Sequence, residues 1–223
     1  MSSLVRLPNR YIGEIRTIFI TLTIGATLVC ASKGDGGHVL PPEARPHGYS
    51  LDRLVSALAL FQTSGNNLSY YPFTQFPDPT RPFQVLYFPN QFNSQFTVYA
   101  GTMLYVPLVL VDDSPPILGD FPLNAKGAEH YFTSPDQLGG KNWRITVDDD
   151  TTPVGAEYFA GPAVQTNPPL LDGGGTHLYI LGVFLTPLGL GPHSITIDGE
   201  LDGAALGGSP FTEHLAYTVM VVP

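Results

Sequence analysis

Two segments near the end of the chain carry its clearest hydrophobic patterns. Residues 177–186 (HLYILGVFLT) are almost continuously apolar, which is typical of a strand buried on both faces. Residues 193–198 (HSITID) alternate, so Ile195 and Ile197 share one face and polar residues share the other. The connecting PLGLGP combines prolines, which cannot donate to a ladder, with glycines that permit a reversal. The pattern predicts a β-hairpin over 176–199.

Other segments show strand patterns and are bounded by Pro, Gly, Asn or Asp. They lie at 83–88, 95–100, 102–111, 143–148, 158–164 and 211–222. Pro107 lies inside one of them and indicates an edge position or a bulge, because proline has no N–H. The last segment alternates through Leu215, Tyr217 and Val219, and we expect it to join the sheet of the hairpin.

One segment has a helical pattern. Over 49–62, Leu51, Leu54, Val55 and Leu58 recur at helical spacing, and the preceding residues include a capping serine. With one helix, seven to nine strands and no alternating βαβ pattern, the chain is predicted to be mainly β. The expected architecture is an antiparallel β-sandwich, or a jelly-roll-like arrangement, formed by a single domain at 49–223 with one N-terminal amphipathic helix.

The N-terminal segment predicts export. Arginines precede an uncharged run of 15 residues at 17–31, which is shorter than a membrane-spanning helix, and Val29 and Ala31 suit cleavage before Ser32. We therefore expect a signal peptide at 1–31, no membrane span after cleavage, and a secreted or periplasmic protein. The alternative is a lipid anchor on Cys30. The Gly- and Pro-rich stretch 32–48 is predicted to be a flexible tether.

Three stretches resemble a known group of proteins. The sequence LTPLGLGPHSITIDGEL at 185–201 resembles a segment, L-x-PL-x-x-G-x-H-x-I-x-x-x-G, of a group of uncharacterised exported bacterial β-rich proteins. FTVYAGTMLYVPLV at 96–109 and KNWRITVDD at 141–149 resemble two further segments of the same group. The resemblance implies an exported β-rich protein and implies no activity. The chain departs from the group where a tryptophan-rich helix is expected, since Leu54 and Leu58 stand there.

Charge and composition disfavour a nucleic-acid-binding protein and indicate a globular one. Residues 32–223 contain seven Lys and Arg and 18 Asp and Glu, a formal net charge of −11, and this repels the phosphate backbone of nucleic acids. With 43% hydrophobic and 13% charged residues, the chain is typical of a globular protein. Its one cysteine lies in the predicted signal peptide, so the mature domain has no disulfide and depends on its core.

The sequence offers little support for catalysis. Ser209 lies in GGSPF, which lacks the second glycine of a nucleophile elbow. We expect no cofactor, with calcium as a possibility at Asp198, Glu200 and Asp202, whose spacing resembles the start of a calcium loop. The competing interpretation is that Asp and Gly simply form turns. Paired carboxylates can also hydrolyse glycosides, and a hydrolase on a jelly-roll scaffold is the alternative function.

Aromatic residues predict a binding surface. Residues 70–99 hold 10 of the 25 aromatic residues, threaded with prolines and with neutral Asn and Gln side chains. Rings outside confident strands are the expected exposed ones, namely Tyr70, Tyr71, Phe73 and Phe76. Such rings stack on the apolar faces of sugars, although they can equally fill a core. We expect a non-catalytic exported module that binds polysaccharide or surface components, with a structural role in the cell envelope as a further alternative.

Overall fold

The computed structural model describes residues 36–63, 76–78, 81–86, 95–161 and 175–223. The predicted signal peptide and residues 32–35 lie outside these ranges, as do Tyr70, Tyr71 and Phe73. The elements are α1 (Leu51–Thr63), β1 (Phe76–Asp78), β2 (Arg81–Val85), β3 (Gln95–Tyr99), β4 (Met103–Asp112), α2 (Ala128–Thr133), β5 (Gly140–Val147), β6 (Asp150–Pro153), β7 (Phe159–Ala160), β8 (Leu178–Leu185), β9 (Gly191–Leu201) and β10 (Phe211–Val222).

The strands form two sheets that pack together, so the predicted β-sandwich with an N-terminal helix is confirmed. The first sheet has the order β1-β2-β4-β8-β7, and the second has the order β3-β10-β9-β5-β6. Most pairings are antiparallel, but β2 pairs parallel with β4, and β3 pairs parallel with β10. The hydroxyl of Tyr217 on β10 donates to the carbonyl of Leu86 at 3.2 Å, which joins the second sheet to the end of β2.

The first sheet is covered on both sides. Every residue of β8 is buried, because the second sheet lies against one face and α1 contacts the other. Leu54, Val55 and Leu58 of α1 are buried, as their helical spacing predicts. We call this sheet the covered sheet and the second one the open sheet, because strands of the second alternate between buried and exposed residues.

The predicted hairpin over 176–199 is wrong. Strand β8 pairs with β4 in the covered sheet, whereas β9 pairs with β10 and β5 in the open sheet. Residues 186–190 therefore form an arch that crosses between the two sheets. The reason lies in the patterns themselves, since β8 is apolar on both faces and needs two covers, while β9 has one face that suits water. The expectation that β10 joins the sheet of β9 is confirmed.

The packed domain begins earlier than residue 49. Val39 forms a β-bridge with Leu185, the N–H of Leu40 donates to the carbonyl of Phe184 at 2.9 Å, and the N–H of Thr186 donates to that of His38 at 3.0 Å. A flexible tether is thus wrong for residues 36–40, which we call the strap. On this edge of β8, the short strand β7 pairs with Leu181 and Ile180, and the strap pairs with backbone groups further along, at residues 184–186.

Two local predictions have clear outcomes. Of the two alternatives predicted for Pro107, an edge position and a bulge, the structure agrees with the second, because β4 lies between β2 and β8 and its register against β8 shifts between Pro107 and Val109. The connection after β4, which the sequence indicates only as a long Pro- and Gly-rich segment, contains the short helix α2. Tyr131 and Phe132 of this helix are buried, and Phe132 stacks on Phe159 of β7 with ring centroids 4.7 Å apart. The connection is therefore part of the core.

Candidate functional site

The open sheet turns one face to solvent. On β3, Phe96 and Val98 are buried, whereas Gln95, Thr97 and Tyr99 are exposed. Strands β9 and β10 alternate in the same way, and no described helix or strand is packed over their polar side. The register then determines which exposed residues are neighbours, because directly opposed residues on adjacent strands share a face.

One half of this face is neutral. Met220 on β10 lies opposite Thr97, and Thr218 lies between Gln95 and Ser194. The next row across the strands is Ala216, Thr196, Thr146 and Thr151. In that row the hydroxyls of Thr146 and Thr151 are 2.8 Å apart and hydrogen-bonded. We call the surface formed by Tyr99, Thr97, Gln95, Met220, Thr218, Ser194, Ala216, Thr196, Thr146 and Thr151 the neutral face.

Tyr99 is the dominant apolar group of the neutral face. Its side chain is 66% exposed, and Met220 on the adjacent strand is 40% exposed. The residue of β10 that pairs with Tyr99 is Val222, which lies two residues along the strand from Met220. An aromatic ring that presents a wet face beside hydroxyl and amide groups has the chemistry that binds a sugar, because the ring covers its C–H face and the polar groups bind its hydroxyls.

The other half of the face is charged and holds the residues predicted for calcium. Asp198 accepts from Nδ1 of His214 at 2.7 Å and lies 3.3 Å from Arg144. Asp202 lies 2.5 Å from Nζ of Lys141, and Glu200 accepts from the amide of Asn142. The structure thus brings all three carboxylates to one end of the open sheet, where each has a cationic or amide partner.

These partners change the electrostatics of the charged half. The hydrogen bond from His214 outweighs the effect of burial and, with Arg144, holds the pKa of Asp198 below its ordinary value. The hydrogen bond to Asp202 outweighs desolvation and raises the pKa of Lys141. Within the described ranges, no group of three or more His, Cys, Asp or Glu side chains is arranged to hold a metal ion. A calcium ion would have to displace these cations, and calcium at this position stays a prediction.

Of the four aromatic residues predicted from the sequence, the structure describes only Phe76. Tyr70, Tyr71 and Phe73 lie outside the described residues. Phe76 begins β1, where its backbone pairs with Phe83 of β2 on the edge of the covered sheet. The ring on the neutral face is Tyr99, which the sequence analysis does not single out. The alternation of QFTVYA at 95–100 is the signal that identifies it, since two buried apolar residues there require an exposed Tyr99.

A second surface feature is an acidic cleft beside α1. It has a volume of about 260 Å³, and the carboxylates of Glu43, Asp52 and Glu157 line it together with Arg45. Asp52 accepts the N–H of Gly161 at 3.0 Å, so this carboxylate holds the end of β7. Burial, followed by the charges of Glu157 and Glu43, raises the pKa of the adjacent Tyr158. Two glutamates therefore lie close to one tyrosine at this cleft.

A third cluster closes the end of the covered sheet. The carboxylate of Asp113 accepts the N–H groups of Thr176 and His177 at 2.6 and 2.9 Å, and lies 2.7 Å from Nδ1 of His177. Burial alone would raise the pKa of Asp113, but the backbone and ring of His177, with Thr176, outweigh it and lower the pKa. The ionised carboxylate thus fixes the start of β8 to the end of β4.

Comparison with known proteins gives no family for this chain. No family model matches it, and no curated protein matches it. Among solved structures it is similar to one titled "Solution Structure of Amebosin", with 13% identity over 63% of this chain and 99% of the other, at a TM-score of 0.24. A score of that size carries no argument about fold or function. In the part of the chain that the structure describes, no helix has the length and apolar character needed to cross a membrane.

Proposed function

We propose that the protein is an exported, non-catalytic β-sandwich module that binds polysaccharide through the neutral face. The observation that carries the proposal is Tyr99, a ring 66% exposed on a sheet face that also presents Met220 and the hydroxyl and amide side chains of Thr97, Gln95 and Thr218. A large apolar ring exposed to water costs free energy that a bound apolar surface removes. A neutral, wet surface that carries an exposed aromatic ring suits the face of a sugar ring.

Charge favours an uncharged ligand. Residues 32–223 have a formal net charge of −11, yet the ten residues of the neutral face contain no ionisable group except the phenol of Tyr99. On the charged half, the carboxylates of Asp198 and Asp202 are already paired with Arg144 and Lys141. An acidic glycan would be repelled by the protein as a whole, whereas a neutral one would not. Neutral polysaccharides are therefore the proposed ligand class.

The binding test uses the mature domain, residues 32–223, with particles of cellulose, chitin and xylan, and with a glycan array. We expect binding to at least one neutral glycan, and a loss of about tenfold in affinity for Tyr99→Ala. Leu123→Ala removes a side chain of similar exposure, 67%, from the connection between β4 and α2, outside the neutral face, and should bind as wild type does. No binding by the folded wild-type domain would reject the proposal and leave a structural role in the cell envelope.

The rings proposed from sequence need a separate variant. A triple replacement of Tyr70, Tyr71 and Phe73 by Ala tests whether that segment, rather than the neutral face, holds the glycan. If Tyr99→Ala leaves binding intact and the triple variant abolishes it without unfolding the domain, the ligand lies on the aromatic segment. If both variants bind weakly, the two surfaces form one site.

Export is the second part of the proposal. The arginine-flanked uncharged run at 17–31 and the small residues Val29 and Ala31 support a secreted or periplasmic location with the mature chain starting at Ser32. Sequencing the N-terminus of exported protein tests this directly. A mature chain that starts at a lipid-modified Cys30 would instead support an anchored protein.

The acidic cleft supports glycan hydrolysis as the second candidate function. Glu43 and Glu157 both lie at the cleft and both act on Tyr158, and hydrolysis of a glycosidic bond requires two carboxylates. Release of reducing sugar from the same polysaccharides, abolished by Glu157→Gln or Glu43→Gln, would support the enzyme. Binding without release of sugar supports the non-catalytic module.

A further inference from the structure

The imidazole of His193 lies between two hydrogen-bond acceptors. Its Nδ1 is 2.9 Å from Oδ2 of Asp148, and its Nε2 is 2.9 Å from the carbonyl oxygen of Gly189. A carbonyl cannot donate, and an ionised carboxylate cannot donate either, so both ring nitrogens must carry a proton for both bonds to form. The geometry therefore fits an imidazolium ring, and a neutral ring satisfies only one partner.

This ring links a turn of the open sheet to the arch. Asp148 lies in the turn between β5 and β6 of the open sheet, and Gly189 lies in the arch that leads from β8 to β9. The other oxygen of Asp148 accepts the N–H of Ser194 at 2.9 Å, which fixes the carboxylate to the start of β9. The side chain of His193 is only 12% exposed, whereas that of Asp148 is 45% exposed. The arch is thus held to the open sheet through one side chain.

The strap packs against the same arch. A Cβ on Gly36 would lie 2.4 Å from the carbonyl oxygen of Pro187, and one on Gly37 would lie 2.7 Å from atoms of both Leu188 and Val147. These approaches are so close that the strap fits only while the arch keeps its position. A change in the contacts of His193 is therefore transmitted to residues 36–40.

Among the described residues, the charged group in contact with the ring is the carboxylate of Asp148. The turn contributes Asp148, the arch contributes the Gly189 carbonyl, and β10 contributes the apolar Val219 opposite His193. On the strap, His38 lies 3.9 Å from Asp150 at the exposed surface. Burial would raise the pKa of Asp148, but the N–H of Ser194 and the ring of His193 outweigh it and lower the pKa. The carboxylate therefore stays ionised near neutral pH.

We propose that His193 makes a proton-dependent contact that holds the arch and the strap against the open sheet. Both hydrogen bonds of this contact form while the ring carries two protons. When rising pH removes one of them, a nitrogen lone pair faces an oxygen lone pair, one hydrogen bond is lost, and the arch and strap open more often. The pairing of β9 with β10 does not depend on this contact, so the backbone N–H groups of these strands stay protected from hydrogen exchange.

The test combines two measurements on the mature domain. Ring nitrogen chemical shifts from NMR report whether His193 carries one proton or two across about pH 5 to 8, the range in which histidine side chains generally change charge. Hydrogen exchange of the backbone N–H groups of Leu40 and Thr186, corrected for the intrinsic effect of pH, reports opening of the strap. We expect protection of these two groups to fall about tenfold as the ring loses its second proton, while Ile197 in β9 is unchanged.

Two variants complete the experiment. His193→Gln should remove the pH dependence of strap protection, whereas His214→Gln, at a ring that is 70% exposed, should retain it. A His193 ring with a single proton at the lower pH would overturn the proposal, as would strap protection that does not follow the state of the ring. If His193→Gln does not fold, the two measurements on the wild-type domain still decide between these outcomes.

Discussion

The indole ring of Trp143 lies directly against the Cα of Gly199, across the β5–β9 pair. A Cβ on Gly199 would lie 2.2 Å from two carbons of that ring, so no other residue leaves room for it. A register shift between Lys141 and Arg144 brings the ring to this position, where it is buried and its Nε1 donates to the carbonyl of Glu200 at 3.1 Å. The glycine is required here for space rather than for an unusual backbone angle.

Gly199→Ala should therefore lower the free energy of unfolding by about 1–3 kcal/mol, through overpacking against the indole. Urea denaturation of the mature domain measures the change. In a Trp143→Leu background the same replacement should cost less, because the smaller side chain leaves room for a methyl group. If the changes in unfolding free energy caused by Gly199→Ala and Trp143→Leu are purely additive, the contact between the indole ring and residue 199 is not the cause of the destabilisation.

Two buried tyrosines allow a comparison of how a hydroxyl with and without a hydrogen bond affects stability. The hydroxyl of Tyr105 is buried against Gly182 and has no hydrogen-bond partner among the described residues, whereas that of Tyr217 donates to the carbonyl of Leu86. Burial also raises the pKa of Tyr105, so this phenol stays neutral. Tyr105→Phe should leave stability unchanged or raise it by about 1 kcal/mol, and Tyr217→Phe should lower it by about 1 kcal/mol. Thermal and urea unfolding of both variants measure the change, and an equal loss of stability in Tyr105→Phe and Tyr217→Phe would contradict this assignment.

Adjacent residues of β9 test the two faces of the open sheet. Ile195 is fully buried and Thr196 lies on the neutral face. Ile195→Asp places a carboxylate without a partner in the core and should unfold the domain, at a cost of several kcal/mol. Thr196→Asp should change the unfolding free energy by about 0.5 kcal/mol or less. Circular dichroism and urea titration of both variants provide the comparison, and equal tolerance would mean that the register is wrong.

Acid stability should depend on Asp113. Its pKa is lowered in the folded state, so its stabilising contribution is complete above the unfolded-state value, about 3.9, and is lost as pH falls through the lower folded value. Asp113→Asn should cost about 1–3 kcal/mol at neutral pH and flatten the fall in stability below about pH 4. Asp136→Asn, at an exposed site of the same connection, is the control for loss of charge alone. An unchanged acid slope in Asp113→Asn would contradict the role of the carboxylate.

Much of the fold follows from local patterns. The alternation of β9 and β10, the helical spacing in α1 and the bulge at Pro107 are all encoded within a few residues and agree with the structure. The pairing of distant segments has no comparable signal. A break such as PLGLGP fits an arch as well as a hairpin, and only the contrast between β8 and β9 distinguishes them.

The candidate site shows the same limit. Alternation in 95–100 is enough to place Tyr99 on a wet face, but its neighbours depend on the parallel pairing of β3 with β10. Met220 and Thr218 come from a segment more than 100 residues away, and nothing in either segment indicates the other. The predicted calcium residues illustrate a second limit, because their spacing does not reveal that Lys141 and Arg144 lie beside them.

The most direct test of the central claim is NMR mapping of backbone amides during titration with soluble neutral oligosaccharides, such as cellohexaose, chitohexaose and xylohexaose. Binding on the neutral face predicts chemical-shift changes in β3 and in residues 216–222 of β10, and these changes should disappear in Tyr99→Ala. Changes confined to the cleft of Glu43, Asp52 and Glu157, or no change with any of the three sugars, would contradict it.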